Sequence, residues 1–523
     1  MDFWEHLVAI RYLIKTSQYY DSVSLMSVAH HVRTLPGVED FALVMGTEAN
    51  KSLLAQAVPL TAEVQAASST DLILMVKGEE SVLDSALRAA EKRLSQRPGT
   101  VHGYERRPRT LRNAFRSCPD SSLAVVSVAG MYAAAEAWDA LHQGLHVLLF
   151  SDNVTLDDEI ALKHYAVEHG LLMMGPGAGT AILNGVALGF ANVVPRGPVG
   201  IVSAAGTGLQ EVSTLLAKQG VGLSQGIGVG GRDLSESVGG LMMLHTIDAL
   251  QHDPATGVIV LISKLPAPAV ADRVLAKLVA AGKPGVVIFM GAPASMQSAE
   301  HRVYVATTLH EAAWAAAALA RGENPASVRP ALAARRQTVR AQAESLSAGL
   351  DPSQRYLRGL FSGGTLCEEA MRLWHESLGG IWSNGPLEPR FQLPDSSQSQ
   401  QHCALDLGEE EFTVGRPHPM IDNDLRIRRL FQEARDPDVA VIQMDVVLGY
   451  GAHPDPASEL APAIRQAREQ ADRELIVVTS ITGTESDPQG YARQAAGLES
   501  AGALVMESNA DASILAACIM ERR

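Results

Sequence analysis

Short apolar runs alternate along most of the chain with longer stretches in which Ala, Leu, Glu and Arg recur at helical spacing. That alternation predicts an α/β protein built on parallel sheets. It restarts several times. Strands at Leu7–Ile14, Phe41–Met45 and Leu72–Val76, with helices at Ser22–Thr34, Glu48–Ala57 and Glu79–Ser95, predict a small N-terminal α/β module over 1–100. Strands at Leu123–Val128, His146–Phe150 and Leu171–Met174 predict half of a doubly wound sheet within 121–195. A further unit over 196–320 takes strands Val199–Ser203, Gly226–Val229, Val258–Ser263 and Gly285–Met290. An Ala/Arg-rich helical stretch, Glu311–Ser347, leads to a last unit over 355–520 with strands Tyr356–Phe361, Val439–Val447, Glu474–Thr479 and Ala503–Met506. The Arg- and Pro-bearing stretch Arg97–Arg112 reads as a solvated linker, and Ser/Gln-rich Glu388–Gln401 as an exposed loop.

Composition narrows the function classes. The 523 residues suffice for three or four domains at roughly 100–200 residues each. Lys and Arg total 43 against 58 Asp and Glu, a net charge of −15. That balance argues against nucleic-acid binding or a polybasic membrane surface, while leaving room for a local anion pocket. Hydrophobic residues at 46% exclude wholesale disorder. Cys118, Cys367, Cys403 and Cys518 form no disulfide framework and no paired metal spacing. The first residues lack a basic n-region, and no uncharged apolar run reaches the ~18–20 residues of a membrane helix. The expectation is a soluble cytoplasmic protein.

Candidate chemistry sits at strand–glycine–helix junctions. Ser203-Ala-Ala-Gly206-Thr207-Gly208 follows an apolar strand and opens a helix, as does Ser362-Gly363-Gly364-Thr365. Backbone N–H groups, hydroxyls and the positive helix end suit such turns to a phosphate or carboxylate. The bland alternative is two tight turns that need glycine for positive φ. Neither turn is a P-loop, since no Lys-Ser/Thr pair closes it. Arg232, beside four glycines in Gly226–Asp233, suits bidentate clamping of an oxyanion, or is a surface Arg on a capped loop. Lys264 ends the strand Val258–Ser263 and is a second anion ligand or a solvated lysine. His418, between two prolines in Arg416–Asp422, suits acid–base work or belongs to a rigid surface turn. Cys367, in a helix's first turn, reads as a small core residue.

Val199–Glu211, Gly226–Asp233 and Thr246–Lys264 resemble the α subunit of succinyl-CoA synthetase. Leu123–Pro176 is similar to part of its CoA-binding domain. Phe361–Glu369 and the stretch from Ala404 to Cys518 resemble the β subunit's CoA-ligase domain, without an ATP-grasp domain. The whole layout, with Tyr20–Met26, Asp233–Glu236, Gly363–Cys367 and Arg416–Asp422, resembles the FdrA family. The resemblance implies a partial Rossmann-like CoA-binding domain at 121–195 and two flavodoxin-like CoA-ligase-type domains at 196–320 and 355–520.

Departures from the synthetase pattern shape what the resemblance implies. Gly291–Glu300 contains no Gly-His-Ala-Gly phosphoacceptor loop, and His301 does not match one. Lys264 stands where a supporting glutamate is expected. The nucleotide-type glycine turn that would help hold CoA is missing, so no cofactor is assigned. Gly177-Ala178 replaces the Asp-Cys usual in FdrA-like chains. The resemblance implies oxamate carbamoyltransferase activity in anaerobic allantoin degradation, with carbamoyl phosphate and oxamate as small anionic substrates. Companion subunits in an oligomer are implied as partners. An ADP-forming acyl-CoA synthetase and a non-catalytic assembly subunit are the competing readings.

Overall fold

The computed structural model describes residues 8–16, 22–33, 35–46, 50–51, 54–55, 58–68, 71–95, 108, 110–292, 303–413 and 416–521. Tyr20 and Asp21, most of the linker Arg97–Arg112, and the stretch 293–302 with His301 lie outside the described residues. The chain divides into two compact units, Met1–Arg107 with Glu409–His418, and Pro108–Gly408 with Pro419–Arg523.

The first unit has a three-stranded sheet in the order Val8–Lys15, Leu72–Glu79, Val38–Met45. Both pairings are antiparallel, unlike most pairings in the rest of the chain. Leu72–Val76 of the central strand are apolar and buried, and the helices Ser22–Arg33 and Glu80–Ser95 contribute Leu25, Val28, Leu83 and Leu87 to one core.

The second unit carries three sheets. Leu123–Val126, His146–Leu149 and Met173–Met174 form a small parallel one, the half sheet expected from the sequence. A seven-stranded sheet runs Val303–Val305, Gly285–Phe289, Val258–Ser263, Arg196–Ser203, Leu223–Gly228, Thr180–Leu183, Val186–Gly189. The first five strands are parallel, and the last two are an antiparallel hairpin that the sequence pattern does not announce. A six-stranded parallel sheet runs Trp382–Ser383, Cys403–Asp406, Tyr356–Phe361, Val439–Val447, Ile476–Thr482, Leu504–Met506.

Strands such as Val258–Ser263 and Val439–Val447 are buried along their whole length, as parallel strands covered on both faces must be. Glu311–Ser347 is two helices, Leu309–Ala320 and Val328–Ser347, because Gly322, at φ +75°, and Asn324-Pro325 interrupt it.

Among the parallel strands of the seven-stranded sheet, the first in the chain, Arg196–Ser203, lies between the second and the third, the flavodoxin-like order; in the six-stranded sheet the first, Tyr356–Phe361, lies between the third and the fourth. The chain therefore reverses its winding direction beside each first strand, the switch point where open α/β sheets bind ligands. The turns Ser203–Gly208 and Ser362–Thr365 leave from those two points.

Candidate anion site at two helix starts

At the first turn, Ser203 is buried and closes the turn on itself. Its Oγ donates to the Ala205 carbonyl at 2.7 Å and accepts the Ala205 N–H at 3.0 Å. No side chain caps the helix Gly206–Lys218, whose first ladder bond runs from the Leu209 N–H to the Ala205 carbonyl. The N–H groups of Gly206, Thr207 and Gly208 therefore have no partner within the helix. Gly206 is exposed, whereas Thr207 and Gly208 are buried, so this helix end opens to solvent at a single glycine.

The second turn is built differently. Ser362 and Gly363 face inward onto Asp445. Its carboxylate accepts the Ser362 N–H at 2.8 Å, the Ser362 hydroxyl at 2.9 Å and the Gly363 N–H at 3.0 Å. The expectation that these groups present themselves to a ligand is corrected here. The cause is register, since Leu360 pairs with Met444 on the adjacent parallel strand and brings Asp445 level with the turn. Asp445 is fully buried, and the buried Arg426 guanidinium donates to its backbone carbonyl and carboxylate. On the other flank, a Cβ added at Gly364 would lie 2.3 Å from Asp406 Oδ2. Two carboxylates of this chain thus converge on the start of the helix Gly364–Leu378, where the macrodipole favours them.

The two helix starts touch. A Cβ on Gly363 would fall 2.6 Å from Thr207 Cγ2, and one on Gly208 would fall 3.0 Å from Thr365 Cγ2. These glycines answer to close approach and not to positive φ, for Gly363 sits at φ −120°. Gly363→Ala is accordingly expected to cost about 1–3 kcal/mol in urea unfolding. Thr207→Ser, which removes the nearest methyl, should recover part of that loss in the double variant. An unchanged midpoint in the single variant would contradict the contact.

Lys264 reaches the same place from the third strand of the first sheet. Its half-exposed ammonium lies 3.6 Å from Glu368 Oε2 in the first turns of the second helix, and Arg372 holds the other Glu368 oxygen at 2.7 Å. Cys367 is buried. Burial first, and then Asp406, push its thiol well above the ordinary range, so it is the neutral core residue the sequence suggests.

Arg232 sits elsewhere in the second unit. Arg232 donates to Glu159 Oε2 and to the Val154 carbonyl, both at 2.8 Å. Beside it the buried Lys163 bridges Glu159 and Asp233, and Asp233 caps the helix Leu241–His252 at the Met242 and Met243 N–H groups. Arg232 is thereby a fastener between the helix Leu156–Glu168 and the glycine-rich loop. His418 is half-buried and groups with the first unit, in the segment Glu409–His418.

The sequence reading missed a pair of buried glutamates. Glu211 and Glu369 each follow the first glycine of their helix by five residues, a shared spacing that is the one available signal. They cross between the two sheets. Glu211 accepts the Asn509 N–H at 3.0 Å, at the start of the helix Asn509–Glu521, and the Thr482 hydroxyl. Glu369 accepts the Leu309 N–H at 2.7 Å, at the start of Leu309–Ala320, and the Asn509 side-chain amide at 2.8 Å. Each half's helix start is completed by a carboxylate from the other half. Burial raises the pKa of both, that of Glu369 to about 7.

Known protein families match three stretches of the chain. The CoA-ligase family matches residues 360–519, and the CoA binding domain matches 196–291, where the resemblance had placed the CoA-binding-like part at 121–195. The description "AllF, heavy metal-associated domain" matches 8–108. That stretch contains no cysteine, so the thiolate donors suited to a soft heavy metal are missing from it.

The α subunit of ADP-forming succinate–CoA ligase from Methanothermobacter thermautotrophicus is 26% identical over 149 residues, 28% of this chain and 50% of that one. Its counterpart from Aquifex aeolicus is 27% identical over 151 residues, 28% of this chain and 48% of that one. The chain thus spans about half the length of these ligase subunits. A solved dinucleotide-forming acetyl-coenzyme A synthetase 1 from Ca. Korarchaeum cryptofilum is 16% identical with a TM-score of 0.30, covering 76% of this chain and 82% of that one.

The fold and its domains define a protein of succinyl-CoA synthetase-like architecture, joining CoA-binding and CoA-ligase domains in one chain. Escherichia coli K12 has an uncharacterized protein, YahF, that is 43% identical over 523 residues, 97% of this chain and 98% of that one. The chain belongs to the YahF family.

Proposed function

We propose that the chain is the FdrA-like subunit of an acyl-phosphate-using transferase, and that its reaction is carbamoyl transfer from carbamoyl phosphate to oxamate. The observation that carries this reading is the contact of two helix starts at Thr207 and Gly363 beside Lys264. The phosphate is held by the N–H groups of Gly206, Thr207 and Gly208 together with the Lys264 ammonium. Gly364 and Thr365 wall the site from the second helix, whose Asp406 and Asp445 turn the anion toward the Gly206 end. The oxamate amide nitrogen bonds to the carbamoyl carbon and gives up a proton, which ends on the departing phosphate. The bond from that carbon to the phosphate oxygen breaks, giving oxalurate and phosphate. Charge developing on the leaving oxygens meets fixed N–H dipoles and an ammonium, a preorganised electrostatic arrangement.

The test is phosphate release by the full complex from carbamoyl phosphate, with and without oxamate, ATP and CoA. Release that needs oxamate but neither ATP nor CoA supports the proposal. Acid-labile phosphohistidine formed from labelled ATP, with CoA-dependent turnover, rejects it. Lys264→Ala should weaken carbamoyl phosphate binding about tenfold or more, as expected for loss of a charge-assisted hydrogen bond. Lys264→Glu should weaken it further by setting a carboxylate against the phosphate.

The CoA-binding and CoA-ligase matches favour a second reading, an ADP-forming acyl-CoA synthetase. CoA would supply a thiol as acyl acceptor. The residues fitted to hold it are at the helix Gly130–His142, whose start has no side-chain cap and is flanked by exposed Val128, Met131 and Tyr132.

A further inference from the structure

The strands Ile476–Thr482 and Leu504–Met506 end beside a cavity of about 640 Å³, within the roughly 300–1,000 Å³ of ligand pockets. Thr484 and Glu507 line it from those strand ends, at the carboxyl edge where open α/β sheets take ligands. Val193, Val194, Pro195, Ala217 and the Tyr491 ring give it a largely apolar wall, which Lys218 completes. Lys218 is the last of the 13 residues of the helix Gly206–Lys218, so at 1.5 Å per residue it lies about 18 Å from the helix start. The cavity is therefore distinct from the site at the glycine turns.

Two donors in this wall are under-used. The Lys218 ammonium donates to the Glu507 carbonyl at 3.1 Å and to the Ile481 carbonyl at 3.5 Å, and lies 4.4 Å from the centre of the Tyr491 ring. An ammonium has three N–H donors, so one is left without an oxygen among the described residues. Burial lowers the pKa of Lys218, an effect that Glu211 opposes, and a partly desolvated ammonium gains from a further acceptor. The hydroxyl of half-buried Tyr491 has no hydrogen-bond partner among the described residues. Burial pushes its pKa up to about 12, so it remains a donor at neutral pH.

The charges decide what kind of molecule these donors suit. One ammonium stands against the carboxylates of Glu485 and Glu507, which also line the cavity. Arg335 pairs with Glu507 at 2.7 Å but is shared with Asp511 at 2.6 Å. The wall thus holds no surplus positive charge to retain an anion, while Lys218 opposes a cation. An uncharged molecule that offers an acceptor oxygen meets neither penalty.

We propose that this cavity is a second binding site, for an uncharged small molecule with an apolar or aromatic body and an amide-type carbonyl that accepts from the Lys218 ammonium and the Tyr491 hydroxyl. A carbonyl oxygen has two lone pairs and serves both donors. The body removes the valine, proline and alanine surfaces of the wall from water, which supplies the rest of the affinity.

The experiment is hydrogen–deuterium exchange on the full chain, titrated separately with benzamide, benzoate and benzylamine, which share an aromatic body and differ in charge. Benzamide is expected to slow exchange over 484–491 at millimolar concentration, and the two charged probes to do so only at higher concentration. Tyr491→Phe keeps the ring and removes the hydroxyl, and should raise the benzamide midpoint about threefold or more. Ala217→Phe sets a ring into the cavity and should abolish the effect, with exchange elsewhere in the chain showing that the variant is folded. Lys264→Ala should leave the effect in place, which distinguishes this site from the one at the glycine turns. No slowing by benzamide, a lower midpoint for benzoate than for benzamide, or an unchanged benzamide midpoint in Tyr491→Phe would overturn the proposal.

Discussion

Asp445→Ala should be the most damaging single substitution in the second sheet, lowering unfolding free energy by about 3–5 kcal/mol. The carboxylate is the acceptor for two buried N–H groups and one hydroxyl of the Ser362 turn, and it faces a guanidinium with no route to solvent. Removing it strands those donors and leaves Arg426 as a buried charge with only the backbone carbonyl of residue 445. Burial already lowers the pKa of Arg426, so nothing offsets the loss. Asp445→Asn keeps the volume and one acceptor and should cost less. Adding Arg426→Met to Asp445→Ala removes the uncompensated charge and should return part of the stability. Urea unfolding of the three variants measures this, and a loss below about 1 kcal/mol in Asp445→Ala would show that the turn does not depend on its carboxylate.

The second large effect is one of pH. Glu369 titrates near 7 in the folded chain because burial disfavours its charged form, against an ordinary value of 4.5. Between those values the folded state keeps a proton that the unfolded state has released. The group's contribution is therefore complete below pH 4.5 and is lost as pH rises through 7, by about 3 kcal/mol in all. Glu369→Gln cannot titrate. The stability of the wild type relative to Glu369→Gln should thus fall by about that amount between pH 4 and pH 8. A flat difference, or one that rises with pH, would mean that Glu369 is ionised in the fold. Glu211, raised by the same cause, adds to the trend, whereas buried His310, with its pKa lowered, opposes it at acid pH.

What the sequence reveals depends on how local the cause is. Tyr356–Phe361 forms the strand its apolar run predicts, and both glycine turns open helices as expected. The hairpin Thr180–Gly189 escapes notice because each arm has only four residues, too few to display a period. At the site, the helix starts were legible but their partners were not. Ser362 meets its carboxylate 83 residues downstream, and Lys264 and Glu368 meet only because the two sheets pack together. Arg232 stood out among glycines, yet its partner Glu159 lies 73 residues earlier on a helix with no such mark. Turn composition can announce a helix end, but which side chain fills it is decided by sheet order.

The crossing of Glu211 and Glu369 bears on how such a protein is assembled and inherited. Each sheet alone would have a helix start lacking its carboxylate and a buried carboxylate lacking its helix start. In a single polypeptide the two halves are synthesised in equal number, and neither waits for a diffusing partner to cover that defect. The same reciprocity ties the halves together in descent, because a change at either glutamate is borne by backbone that the other half supplies.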